Sequence, residues 1–241
     1  MRTKSAALSA VLALVLFLSA CKSGDASQNA ARSLEQRLLS GAAPLAEEAH
    51  GSPRALTLES VHYGSFSSPD AEELCALFRY DAPAHVEGLD RTLGVVYAAD
   101  DLEVVAGCDL MADDVQVSFF PAADGTERIF YLGAATHQGL TSYTLDLYKV
   151  SGAAWEPIKT GLPVIEEDGA VYLTGEKVLF VTPEDVCTVY EWNSETEGFE
   201  PVGTPKGGNI AEETGACVFP GGPSTVAENA RDAEVVDGRL A

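Results

Sequence analysis

From about residue 54 to residue 220, hydrophobic residues recur at every second position in short runs, and Gly, Pro, Asp and Asn punctuate the gaps. An extended chain turns successive side chains to opposite faces, so this alternation predicts half-buried β-strands. Strands are expected at 56–63, 73–80, 92–98, 102–107, 115–120, 128–133, 142–150, 171–174, 177–182, 186–192 and 199–202. Val115, Val117 and Phe119 fall on one face with Gln116 and Ser118 on the other, and Asp124-Gly125 between two runs is a hairpin-turn sequence. No long helical pattern interrupts these runs, which makes the domain all-β.

The runs also repeat. Leu147-Tyr148-Lys149-Val150 followed by Trp155-Glu156-Pro157-Ile158 matches Val189-Tyr190-Glu191-Trp192 followed by Phe199-Glu200-Pro201-Val202, at offsets of 42 and 44 residues. Upstream of each, residues 127–132 match residues 176–181, and residues 73–80 mirror residues 185–192. Periods of about 40–50 residues holding several strands are the pattern of propeller blades, each burying its faces against its neighbours. The expected architecture is therefore propeller-like, or an open β-meander, built from about three to four such repeats. Closed propellers have at least about four blades, so about 165 residues admit an incomplete propeller or an open twisted meander; a β-sandwich is the alternative. The stretch Gly64-Ser65-Phe66-Ser67-Ser68-Pro69-Asp70-Ala71-Glu72-Glu73-Leu74 resembles an FG-GAP repeat of integrin-type propellers. That resemblance implies a blade-like shape and no metal site, because the dense Asp/Asn loop that binds calcium in that family is missing.

A different pattern governs the N-terminus. Arg2 and Lys4 precede an apolar run from Ala6 to Leu18, the length of a signal-peptide core and short for a membrane span. The run ends in Leu18-Ser19-Ala20-Cys21, which resembles the bacterial lipobox. The resemblance implies that residues 1–20 are a lipoprotein signal peptide, that Cys21 receives a diacylglyceryl group, and that the mature chain starts there. It also implies an extracytoplasmic, lipid-anchored address in the cell envelope. Lys22 takes the place where Asp would favour inner-membrane retention, so in a two-membrane envelope the outer membrane is expected. Residues 21–53, rich in Ala, Ser, Gln and Glu, read as a flexible tether with room for one short amphipathic helix around Leu34, Leu38, Leu39 and Leu45, broken at Gly41. Residues 54–220 are the β domain, and 221–241 a disordered acidic tail.

Charge narrows the partners. The formal net charge is −22, and loss of a leader carrying two cations takes it to −24. Such a surface repels phosphate backbones, which argues against nucleic acid and leaves the lipid anchor, an envelope protein or a glycan as partners.

Four cysteines remain beside Cys21, an even number in a chain bound for an oxidising compartment. Cys75 and Cys187 sit in strands that the repeat aligns, with Cys108 and Cys217 following 33 and 30 residues later. Two disulfides are expected, Cys75–Cys108 and Cys187–Cys217. The histidines His50, His62, His85 and His137 show no metal-ligand spacing, no nucleophile or phosphate-loop motif is present, and the sequence calls for no metal and no cofactor. His85 and His137, in expected loops, are the candidate binding residues. The acidic groups Asp100-Asp101, Asp113-Asp114 and Glu166-Glu167-Asp168 read as solvated turns, and Tyr148, Trp155, Tyr190, Trp192 and Phe199 as packing between sheets. The chain reads as a lipid-anchored binding or scaffold protein without catalysis. The alternative is an envelope hydrolase whose site combines scattered carboxylates with a loop histidine.

Overall fold

The strand-forming runs pair in three successive meanders of four strands. The computed structural model describes residues 25–51, 55–81, 90–111, 114–137, 140–164, 170–174, 177–181, 187–203, 208–209, 234–236 and 239–240. The first meander comprises β1 (Thr57–Gly64), β2 (Glu73–Asp81), β3 (Asp90–Ala98) and β4 (Val104–Met111). The second comprises β5 (Asp114–Pro121), β6 (Glu127–His137), β7 (Leu140–Ser151) and β8 (Ala154–Ile158). The third comprises β9 (Ala170–Thr174), β10 (Lys177–Val181), β11 (Cys187–Asn193) and β12 (Gly198–Gly203). Short strands β13 (Gly208–Asn209), β14 (Glu234–Val236) and β15 (Arg239–Leu240) form a small third sheet.

The first two meanders merge. Their fourth strands meet in parallel through the Gly107–Ala154 pair, giving one eight-stranded sheet in the order β1-β2-β3-β4-β8-β7-β6-β5. That sheet curls into a half-barrel, because side chains from both halves share one core: Phe66, Cys75, Leu77, Val96, Ala106 and Leu110 meet Ile129, Tyr131, Val150 and Trp155. Gly94 is required by the curl. A Cβ there would lie 2.2 Å from Cη2 of Trp155, so the bare backbone of β3 makes room for the indole reaching over from β8.

On its outer side the second meander packs against the third. Phe120, Phe130, Leu132 and Leu147 interlock with Val171, Leu173, Val178, Phe180, Trp192 and Phe199. Phe120, Phe130, Trp192 and Phe199 form a set of edge-on and stacked ring contacts 5.0–5.9 Å apart, arrangements that add to plain area burial. A buried guanidinium ties the same joint. Arg128, 5% exposed, donates from Nε and Nη2 to the two carboxylate oxygens of Glu197 at 2.8 Å, from Nη2 to Asp124 at 2.9 Å and from Nη1 to the Thr126 hydroxyl. The first two meanders thus share one curled sheet and the third packs on it as a separate small sheet, an all-β open meander.

The repeat alignments can now be placed on strands. Tyr148 and Tyr190 both lie on third strands, and Trp155 and Phe199 both on fourth strands, each facing the preceding unit. These aromatics are core, as the sequence indicated. The alignment of residues 73–80 with 185–192 fails, since β2 is the second strand of its unit and β11 the third. The expected strands are all present, and β8 and the short strands β13–β15 are additions: Pro157 masks β8 in sequence, and β8 pairs only with β7 and, at one residue, with β4.

The disulfide Cys75–Cys108 is corrected by the same geometry. Both are free thiols. Strand β3 separates them, with Cys75 opposite Val96 and Cys108 opposite Gly94. Two strand spacings, about 9.5 Å, exceed the roughly 7 Å that a disulfide spans between Cα atoms. The pairing Cys187–Cys217 lies outside the described residues, as does Cys21; of the stretch expected to be a disordered tail, residues 234–236 and 239–240 are described, and they form β14 and β15.

The stretch expected to be a tether carries α1 (Asp25–His50), a 26-residue helix. Leu38, Ala42 and Ala46, spaced by four, are fully buried against Leu74, Ala76, Phe78, Tyr80, Leu93, Val95 and Tyr97 on the outer face of the first meander. Gly41 does not break the helix, because it admits the Tyr97 ring: a Cβ there would sit 2.7 Å from Cε1. The Tyr97 hydroxyl donates to the Leu38 carbonyl at 2.7 Å. Pro44 also lies inside the helix, on its exposed side, where the carbonyl that loses its helical partner faces solvent rather than core. Among the described residues no helix is long and apolar enough to cross a membrane.

Candidate functional site

The two edge strands of the half-barrel, β1 and β5, approach each other at one end, and a histidine–carboxylate pair sits there. The Glu127 N–H, at the start of β6, donates to the Ser65 carbonyl at 2.7 Å, closing the β1–β2 turn onto the second meander. His62 Nε2 and Glu127 Oε2 are 2.7 Å apart. Gly64 permits the approach, since a Cβ there would lie 2.7 Å from the same carboxylate oxygen. The His62 ring stacks on Phe119 with centroids 4.0 Å apart and planes within 6°, while Phe66 meets both rings edge-on. His62 is 40% and Glu127 28% exposed, so the pair is open to a ligand. With the proton on Nε2, imidazole donates to Glu127 and presents Nδ1 as an acceptor.

Cys75 stands directly opposite His62 across the β1–β2 pair. A thiol, an imidazole and a carboxylate at one place have the composition of a nucleophilic triad. The electrostatics oppose that use. Complete burial, then the Glu127 charge, push the Cys75 thiol far up, and it stays protonated where a nucleophile would have to ionise.

A second polar group lines the concave core. The Tyr148 hydroxyl donates to Asp146 at 3.1 Å, and burial together with the Asp109 and Asp146 charges pushes the Cys108 thiol up to about 11. The Trp155 indole N–H is buried in this core without a hydrogen-bond partner. On the opposite face, Asp109 accepts from Tyr80 and Arg91 at 2.5 Å each. Glu73, 4% exposed, organises the turn that resembles an FG-GAP repeat: it accepts from the N–H groups of Phe66 and Ser67 at 2.7 and 2.9 Å and from the Ser67 hydroxyl. Those three bonds use up the carboxylate for structure.

The residues singled out from sequence fare differently. His85 and the side chains of His50 and His137 lie outside the described residues, as do Asp113, the Asp114 side chain and Glu166-Glu167-Asp168. Asp100 and Asp101 cap their own turn, accepting from the N–H groups of Asp101 and Glu103 at 2.9 Å. Beside that turn, Ser33, Gln36, Arg37 and Ser40 of α1 border a shallow groove of about 280 Å³ with Asp101 and Leu102. Among the described residues no three His, Cys, Asp or Glu side chains are grouped to hold a metal. His62 and Glu127 escaped notice in the sequence because they are 65 residues apart and meet only through the curl. Compared with known protein families, curated proteins and solved structures, the chain matches none.

Proposed function

We propose that the chain is a lipid-anchored, extracytoplasmic binding protein, attached to the envelope membrane through Cys21 and taking an envelope protein or glycan at the His62–Glu127–Phe119 platform. The observation that carries the reading is this half-exposed platform at the rim of a filled core. Stacking on Phe119 and the bond to Glu127 hold the imidazole in one orientation, which lowers the entropy lost when a partner hydrogen-bonds to it. The outer face of the part-exposed imidazole suits a sugar ring or a peptide side chain. The strongly acidic remainder disfavours nucleic acid.

Affinity capture from envelope extracts, followed by glycan and peptide arrays, tests it. Binding is expected to fall at least about tenfold in His62→Ala and Phe119→Ala, the loss of about 1.4 kcal/mol. Val202→Ser, on exposed β12, leaves it unchanged. The second reading is a hydrolase with His62 as general base oriented by Glu127, favoured by their 2.7 Å contact. Turnover by the purified protein that Glu127→Gln abolishes would replace the binding reading with that one.

A further inference from the structure

We propose that α1 is a stiff strut that holds the domain close to the bilayer in one orientation, with the 99–103 turn end facing the lipid. The inference rests on the reading that Cys21 is acylated, and it concerns what that acylation does to the domain.

The direction of the helix on the sheet fixes the orientation. Arg37 donates to the Asp101 carbonyl at 2.6 Å, Gly41 lies against Tyr97 and Val104, and Leu45 lies against Gly107. Going up the helix therefore means going along β4 away from the 99–103 turn, and going back toward Asp25 means passing beyond that turn. The other turns at this end are 65–72, 122–126 and 152–153, by the antiparallel order of the strands. The described helix therefore leaves the body on this side, toward Asp25.

Lengths then limit the stand-off. From Asp25 to Ser33, the first residue bordering the body, the helix rises about 12 Å at 1.5 Å per residue. The four steps from Cys21 to Asp25 add at most about 14 Å. The body thus stays within about 26 Å of the acylated residue, whereas a flexible chain running to residue 53 would reach about 110 Å. Docking supports stiffness, since Leu38, Ala42 and Ala46 are wholly buried and Tyr97 bonds the helix backbone. Charge agrees as well. Residues 22–37 carry Lys22, Arg32 and Arg37 against Asp25 and Glu35, in a chain of net charge −22. With the helix upright, its rise of roughly 12 Å would hold the acidic turn residues Asp70, Glu72, Asp100 and Asp101 back by more than one screening length, about 8–10 Å.

Energy transfer to headgroup-labelled lipid tests the strut with the full-length lipidated protein in phosphatidylethanolamine–phosphatidylglycerol vesicles. Donors are placed at Ala153→Cys, in the exposed turn at the near end, or at Ala55→Cys, exposed ahead of β1 at the far end, and labelling of the parent protein is subtracted. About 30 Å of strand separates the two ends, so transfer from position 153 should exceed that from position 55 by about twofold or more. Inserting a Gly/Ser segment between Ser23 and Gly24 should erase the difference. Equal transfer from both positions without the insertion, in protein that floats with the vesicles, overturns the strut and leaves the anchor standing. Protein that fails to float overturns the anchor, and the strut with it.

Discussion

Replacing Gly94 with Ala should act almost entirely through Trp155, and the pair makes a sharp test of the half-barrel. The added Cβ would lie 2.2, 2.8 and 3.0 Å from Cη2, Cζ2 and Cζ3 of the indole, so the ring has to move by more than 1 Å to regain an ordinary contact distance. Trp155 is 6% exposed and wedged among Val150, Tyr148 and the β3 backbone, which leaves little room for that movement. Overpacking of this kind costs about 1–3 kcal/mol. Trp155→Ala removes a buried aromatic at about 3–5 kcal/mol. In the double variant the methyl added at position 94 meets empty space and fills part of the cavity, so the Gly94→Ala cost should vanish and the coupling energy should reach about 1–3 kcal/mol. Urea unfolding followed by circular dichroism measures all four corners of the cycle. Additivity within about 0.5 kcal/mol would mean that the indole does not lie on β3 and that the two meanders do not face each other as described.

Arg128→Lys keeps the charge but loses the fork that holds Glu197, and Arg128→Met loses both; thermal unfolding should register about 1–2 and 2–3 kcal/mol, below the full cost of a buried pair because Asp124 and Glu197 are partly exposed. An unchanged melting temperature in Arg128→Met would refute the joint between the second and third meanders. Asp124 is held down to about 2 by hydrogen bonds from Thr126 and then Arg128, below its unfolded value near 3.9, so its stabilisation is complete above about pH 4 and fades as pH falls toward 2. Asp124→Asn should flatten the acid limb of the stability curve between those values, and an identical limb would contradict the assignment. Alkylation of Cys108 should keep accelerating up to about pH 11, while Cys75 reacts only on unfolding. Non-reducing peptide mapping that finds Cys75 joined to Cys108 would show the sheet register to be wrong.

Much of this fold was legible in local sequence. Alternation such as Val115, Val117 and Phe119 is set by which side chains face the core, and the Asp124-Gly125 turn is set by backbone: Gly125 has φ +83°, and the Thr126 N–H bonds the Asp124 carboxylate. What local sequence could not show is the contact between distant strands. The parallel joint of β4 to β8 is a single residue pair between non-consecutive strands, and no periodicity encodes it. Gly41 reads as a helix break, Gly64 as part of a turn and Gly94 as one residue of an expected strand, yet each clears space for a side chain far along the chain, Tyr97, Glu127 and Trp155 respectively. The candidate site stayed hidden for the same reason: a strand histidine outside any ligand or catalytic motif looked isolated until the curl delivered Glu127. The Cys75–Cys108 expectation failed because similar spacing along the chain, 33 and 30 residues, does not make two strands equivalent within their sheets.

Everything proposed about place and orientation depends on the chemistry of one residue. Mass spectrometry of the N-terminal peptide, from protein purified out of its native envelope, tests it directly. The account predicts a mature chain beginning at Cys21 and carrying a thioether-linked diacylglyceryl group, with Cys21→Ser leaving an unprocessed, unlipidated precursor. An N-terminus at any other residue, or an unmodified Cys21 thiol, would contradict it.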